Sequence, residues 1–189
     1  MSANKGFKKY GKRAIASMLK ELKQLHVGAM DGKPVVEAVD FAHTTAEERR
    51  QALEAVALIN PKRSGVLKSR VCANGKKQRW FLRGDEDFSS PTAMLESIIL
   101  TAIIDALEGR DVAVMDVPGT YLHALLPEGK QVLLILRDDL ADIMCQVSPE
   151  YKKYVVHVNG KKVLYLRVLR VLYGCLESAM YGIISTVKL

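Results

Sequence analysis

From Ala14 onward the apolar residues Ile15, Met18, Leu19, Leu22 and Leu25 recur at helical spacing, while Lys12, Arg13, Lys20 and Lys23 fall on the other faces. That pattern predicts an amphipathic basic helix. A looser stretch with Gly28, Gly32 and Pro34 follows, and then Thr44-Thr45-Ala46-Glu47-Glu48, in which a glutamate stands three residues after each threonine. This spacing closes a capping box and predicts a second helix running to about Ile59, where Pro61 stops it. Between Pro61 and Arg83, Asn74-Gly75 separates two β-prone runs. Both residues tolerate the positive φ of a type I′ turn, so a hairpin is expected there. Ser90-Pro91 supplies an N-cap and an N1 proline for a helix whose apolar face is Met94, Leu95, Ile98, Ile99, Ala102, Ile103 and Ala106, ended by Gly109. Asp111 to Val117 reads as a largely buried strand broken by Pro118-Gly119, and Gln131 to Leu136 as another. Asp138-Asp139-Leu140-Ala141-Asp142 has the acidic first turn that a helix dipole favours. Val155 to Val158, Asn159-Gly160 and Lys161 to Val168 repeat the hairpin signature, and Leu172-Tyr173-Gly174 follows at once. Helices and strands mix without a βαβ rhythm, so the predicted class is α+β with an antiparallel sheet packed by helices.

Composition adds a core and a charge. Of the 189 residues 49% are apolar and 26% charged, enough of each for a globular chain. The formal net charge of +7 favours a polyanionic partner. It concentrates between Pro61 and Arg83, where Lys62, Arg63, Lys68, Arg70, Lys76, Lys77, Arg79 and Arg83 stand without one acidic residue. A β-ribbon can lay alternate cations against phosphates while its other face packs down. Lys68 and Arg70 would share that outer face and suit a triphosphate or a nucleic-acid backbone; Lys62, Arg63, Lys76, Lys77 and Arg79 are the further nucleic-acid-binding candidates, with a merely solvated face as the alternative.

Other chemistries find no frame. Cys72, Cys145 and Cys175 are scattered and form no CxxC pair, which fits a reducing compartment and no zinc site. His26, His43, His123 and His157 make no ligand pair, and no Gly-x-Ser-x-Gly elbow or glycine-rich phosphate loop is present. The N-terminal residues lack the apolar core of a secretion signal. Ser97 to Leu107 is interrupted by Asp105 and falls short of the roughly 20 residues that span a bilayer. An intracellular chain with no membrane partner is expected. Asp116, ending an apolar strand at a turn, could present a carboxylate to Mg²⁺ or cap the next short helix. Tyr121, five residues on, could be a packed aromatic.

Three segments, in order, resemble successive motifs of the reverse transcriptases of copia-type retrotransposons: Lys68-Ser69-Arg70-Val71-Cys72-Ala73, Val114-Met115-Asp116-Val117-Pro118-Gly119-Thr120-Tyr121-Leu122, and Leu172-Tyr173-Gly174-Cys175-Leu176-Glu177-Ser178-Ala179. The resemblance implies a fingers hairpin and partial palm over residues 61–189, preceded by a helical region over residues 1–60. It implies that Arg70 and Lys68 meet the incoming deoxynucleoside triphosphate, and that Asp116 and the Val117 carbonyl hold Mg²⁺, or Mn²⁺. Thr120 and Tyr121 would join the nucleotide site, with Tyr121 as the aromatic gate against a ribose 2′-hydroxyl. Tyr173 and Gly174 would line the nascent base pair. An RNA template and a DNA primer would be the partners. Integrase and RNase H regions would belong to the parent polyprotein, in a cytoplasmic particle or the nucleus. Two-metal phosphoryl transfer needs further carboxylates, which the family carries on an aromatic-x-Asp-Asp hairpin after the third motif. The fifteen residues after Gly174 contain no aspartate. Catalysis would therefore belong to a longer parent; the alternative is a non-catalytic, basic, nucleic-acid-binding remnant of a decayed element.

Overall fold

The computed structural model describes residues 1–28, 32–80, 93–114, 119–127, 129–178 and 180–181. Two helices open the chain, α1 (Ala3–Tyr10) and α2 (Lys12–Val27), separated by Gly11 at φ 51°. In α2 the periodic residues Ala14, Met18, Leu22 and Leu25 are buried, as the sequence leads one to expect, while Ile15 remains exposed. Strand β1 (Val36–Ala38) follows, and then α3 (Ala46–Gln51) behind the expected capping box. The Glu48 amide donates to Thr45 Oγ1 at 3.1 Å and the Thr45 amide to Glu48 Oε2 at 2.6 Å.

The helix stops at Gln51 instead of reaching Ile59, because Leu53–Pro61 forms strand β2. Leu53, Ala57 and Ile59 satisfy a two-residue period, and all three are buried. A cross-strand partner settles which period wins: β3 (Leu67–Ala73) pairs antiparallel with β2 from Ala55↔Ala73 to Pro61↔Leu67. The hairpin turn therefore lies at Lys62 to Val66, closed by the Lys62 amide donating to the Val66 carbonyl at 2.8 Å, with Gly65 at φ 76°. Asn74-Gly75 makes no hairpin. β2 already occupies the inner edge of β3, and Asn74 Oδ1 accepts from the Lys76 amide at the start of a 3₁₀ helix, Gly75–Trp80, which carries Lys76, Lys77 and Arg79.

Helix α4 (Leu95–Glu108) ends at Gly109 in the left-handed conformation expected of it, φ 63°. Its proposed cap, Ser90-Pro91, lies outside the described residues. No residue of α4 is buried: the face expected to meet the core stays open, with Leu95 67% and Ile98 55% exposed. Residues 111–114 are not the expected strand either. No described strand pairs with them, and Val114 is 95% exposed.

β4 (Val132–Arg137), α5 (Asp139–Val147), β5 (Val156–Val158) and β6 (Lys161–Val168) stand where the sequence suggests, with Asn159 and Gly160 at φ 52° and 75° in the β5–β6 turn. The strand order is β1-β6-β4-β2-β3, with β5 also on β6. β2 runs parallel to β4, Leu53↔Leu134 and Glu54↔Ile135, whereas the other pairs are antiparallel. The sheet is thus mixed and not purely antiparallel, since β2 and β4 are joined by a long connection that imposes no antiparallel turn. Residues 133–136 and 163–166 are each buried without a break, as central strands covered on both faces must be. One face packs against α1, α2 and α5; on the other, Val39, Ala52, Leu133, Ile135, Val163 and Tyr165 form a smaller cluster flanked by Phe41. Among the described residues no helix is long and apolar enough to cross a membrane.

Candidate nucleotide and nucleic-acid interface

Alternation along β3 buries Ser69, Val71 and Ala73 and leaves Lys68 and Arg70 exposed on the opposite face, as expected. β3 is the last strand of the sheet, so its outward backbone groups need partners. Helix α2 supplies them. Ser17 Oγ donates to the Leu67 carbonyl at 3.0 Å, Ser69 Oγ donates to Ser17 Oγ at 2.8 Å, and the Val71 amide donates to Glu21 Oε1 at 3.1 Å. At the hairpin tip Arg13 Nη2 donates to the Gly65 carbonyl at 2.7 Å. Arg13, Ser17 and Glu21 are four residues apart and so line one side of α2. Burial raises the Glu21 carboxyl above its usual range, an effect the Val71 N–H, Lys68 and Arg70 oppose. The Cys72 thiol is likewise pushed up, by burial first and then by Glu21.

The third motif docks on the end of this strand. The Ala73 amide donates to the Tyr173 carbonyl at 2.7 Å and the Gly75 amide to the Gly174 carbonyl at 3.1 Å. The approach is close enough to require glycine on both sides. A Cβ on Gly174 would lie 2.1 Å from the Ala73 carbonyl oxygen, and one on Gly75 would lie 2.2 Å from that of Gly174. Gly174 also has φ 90°, a backbone conformation that only glycine adopts without strain. Buried Gln78, on the 3₁₀ helix, accepts from the Leu176 amide through Oε1 at 2.9 Å. Ser178 Oγ donates to the Leu172 carbonyl. Nearby, Lys130 Nζ pairs with the buried Glu177 carboxylate and reaches the Tyr181 hydroxyl at 3.2 Å. Burial would lower the Lys130 ammonium, but Glu177 and Tyr181 outweigh it and hold it above its ordinary value. Burial pushes the Cys175 thiol up to about 11, with Glu177 and Cys72 adding to the shift and Ser178 opposing it.

The end of the second motif comes to the same place. Thr120 and Tyr121 enter a 3₁₀ turn, Thr120–His123, beyond which the Ala124 carbonyl accepts from the Val171 amide at 2.9 Å and Leu125 bridges Arg170. Leu122 is buried in the main core, and its carbonyl accepts from Arg170 Nη1 at 3.2 Å. The chain leading into Leu172 and Tyr173 therefore runs beside the chain leaving Tyr121. Asp116 and Val117, the expected metal ligands, lie outside the described residues. Among the described residues no group of three or more His, Cys, Asp or Glu could hold a metal.

The fold thus brings Lys68, Arg70, Tyr173 and Gly174 onto one strand and its docked turn, with Lys62 and Arg63 at the far end of the hairpin and Lys76, Lys77 and Arg79 on the 3₁₀ helix next to the turn. Gln78 and the Arg13-Ser17-Glu21 row join them without having been singled out by sequence. The four-residue spacing of that row, beside the apolar stripe of α2, is the signal that could have found it; Gln78 has none. No family model, curated protein or solved structure matches the chain.

Proposed function

We propose that the chain is the fingers and first part of the palm of a copia-type RNA-directed DNA polymerase, whose longer parent extends a DNA primer on an RNA template. The observation that carries this reading is the convergence of the three resembling segments. The Lys68–Ala73 strand hydrogen-bonds through the Ala73 amide to Tyr173, a hundred residues later, Gly75 just beyond the strand bonds to Gly174, and Leu122, at the end of the second segment, with Ala124 and Leu125 after it, runs against Arg170 and Val171 on the approach to the third. In this reading Lys68 and Arg70 take the triphosphate: the guanidinium binds phosphate oxygens through paired donors and the ammonium adds a point charge. Tyr173 and Gly174 fix the floor of the nascent base pair, held in register by Gln78. Asp116 and the Val117 carbonyl are the ligands assigned to Mg²⁺, a hard cation suited to oxygen donors, which when bound neutralises the charge of the transferring phosphate. Two-metal transfer needs carboxylates beyond Asp116, and the fifteen residues after Gly174 hold no aspartate to supply them, so nucleotide binding is the step to measure on this chain.

Equilibrium binding of a fluorescent deoxynucleoside triphosphate in the presence of Mg²⁺ tests the reading. Binding that weakens at least tenfold in Arg70→Ala and in Asp116→Asn supports it. No binding by the unaltered chain, or binding indifferent to both changes, refutes it.

A further inference from the structure

The hairpin is one of two strongly basic segments of the chain. Residues 1–27 carry seven Lys and Arg and one acidic residue, Glu21, for a net +6, and residues 61–83 carry a net +8. Against the +7 of the whole chain, the remainder is therefore net −7. The positive charge is segregated into two sequence segments, and the fold joins them. The bonds from Arg13, Ser17 and Glu21 to Gly65, Leu67 and Val71 tie α2 along the outer edge of β3. On α2, Lys12, Arg13, Lys20 and Lys23 are all exposed and fall within one arc of roughly 100°, opposite the buried Ala14, Met18, Leu22 and Leu25. On α1, Lys5, Lys8 and Lys9 are exposed as well. The α2 row and the Lys68–Arg70 face thus flank the two sides of the β3 edge.

We infer that α1 and α2 form a second nucleic-acid-backbone surface, continuous around the β3 edge with the hairpin, and that this surface takes a phosphodiester chain. A linear polyanion matches its shape: the sixteen residues of α2 span about 24 Å, along which a duplex presents a negative charge every ~1.7 Å. The surface does not suit insertion into an anionic membrane. A helix lying in a bilayer interface buries its apolar face among the lipids, whereas Met18, Leu22 and Leu25 are already used up in the protein core, each no more than 2% exposed. Glu21, the single carboxylate in the segment, is turned into the Val71 backbone instead of into the row. Neither metal nor nucleotide is required, so the inference stands apart from the polymerase reading.

The test is fluorescence anisotropy of the full chain with a short labelled RNA–DNA hybrid, in buffer free of Mg²⁺ and nucleotide, over a range of salt. The triple variant Lys12→Gln, Lys20→Gln, Lys23→Gln should flatten the slope of log affinity against log salt by roughly 2 to 3, because each phosphate that the protein ceases to neutralise takes about 0.9 from it. At about 0.1 M salt the affinity should fall on the order of a hundredfold. Lys→Arg changes at the same three positions should keep the slope, and both triple variants should keep the circular dichroism and denaturation midpoint of the unaltered chain. An unchanged slope in the folded glutamine variant overturns the inference, as does binding to phosphatidylserine vesicles in place of the hybrid. Should the glutamine variant not fold, glutamine at Lys5, Lys8 and Lys9 reads the same surface through α1, where an unchanged slope is again a refutation.

Discussion

Gly174→Ala isolates the close approach on which the functional reading depends. The substitution acts twice. It forces a side chain into φ 90°, which costs about 1–3 kcal/mol, and it sets a Cβ 2.1 Å from the Ala73 carbonyl oxygen, a backbone atom in a paired strand that cannot swing aside. Relief requires the turn to lift off β3 and to give up the Ala73–Tyr173 and Gly75–Gly174 hydrogen bonds, each contributing about 1 kcal/mol. The total is about 3–5 kcal/mol, a large fraction of the roughly 5–15 kcal/mol that holds a domain folded. Gly160→Ala provides the comparison. Its φ of 75° is similar, but nothing lies within 4 Å of its Cβ direction, so it carries the conformational cost alone, about 1–2 kcal/mol. Urea unfolding followed by circular dichroism measures both. If the two alanine variants lose equal stability, the close approach of the third motif to β3 is not a feature of the folded protein, and the convergence argument falls with it.

Alkaline pH should destabilise the chain through Tyr151, a buried residue hydrogen-bonded to His26 Nδ1 at 2.8 Å. Burial, aided by Glu150 and Glu37, pushes its hydroxyl up to about 12. Because the unfolded value is near 10, the associated stability is intact below about pH 10 and drains away as pH rises toward 12, by about 2–3 kcal/mol. Tyr151→Phe should unfold with a flatter dependence over that window, and identical dependences would contradict the burial. Thr45→Ala should cost about 1 kcal/mol by removing half of the capping box, read as a lower denaturation midpoint. Leu134→Ala, at 0% exposure between two packed faces, should cost about 2–5 kcal/mol. By contrast, Ile99→Lys with Ile103→Lys, both about half exposed on α4, should change stability by no more than ~0.5 kcal/mol each while reducing binding of an apolar dye; a core-sized loss there would mean that α4 is covered.

What the sequence made legible was local. The capping box at Thr45, the Asn159-Gly160 turn, the Gly109 cap and the buried stripe of α2 each depend on residues within a few positions of one another, and each stands where it was expected. The errors arose where distant partners decide. Leu53 to Ile59 fits a helical period nearly as well as a strand period, and only pairing with β3 selects the strand. Asn74-Gly75 has ideal turn chemistry, but the inner edge of β3 is taken by β2 before Asn74 is reached. The apolar period of α4 identified the helix correctly, yet periodicity says which face is apolar and not whether anything covers it. At the candidate site Lys68 and Arg70 were readable from alternation alone, whereas Gln78 acquires its role from an amide 98 residues away.

The way β3 is finished also determines how copies of this chain can meet. Of its outward-facing backbone groups, the Leu67 carbonyl is engaged by Ser17, the Val71 amide by Glu21 and the Ala73 amide by Tyr173. A strand from another molecule would have to displace these partners along this border, and the opposite border is split between β1 and β5, each of three residues. Growth of the sheet from chain to chain, the usual route to fibrous aggregates, is therefore hindered at one side and limited to short strands at the other.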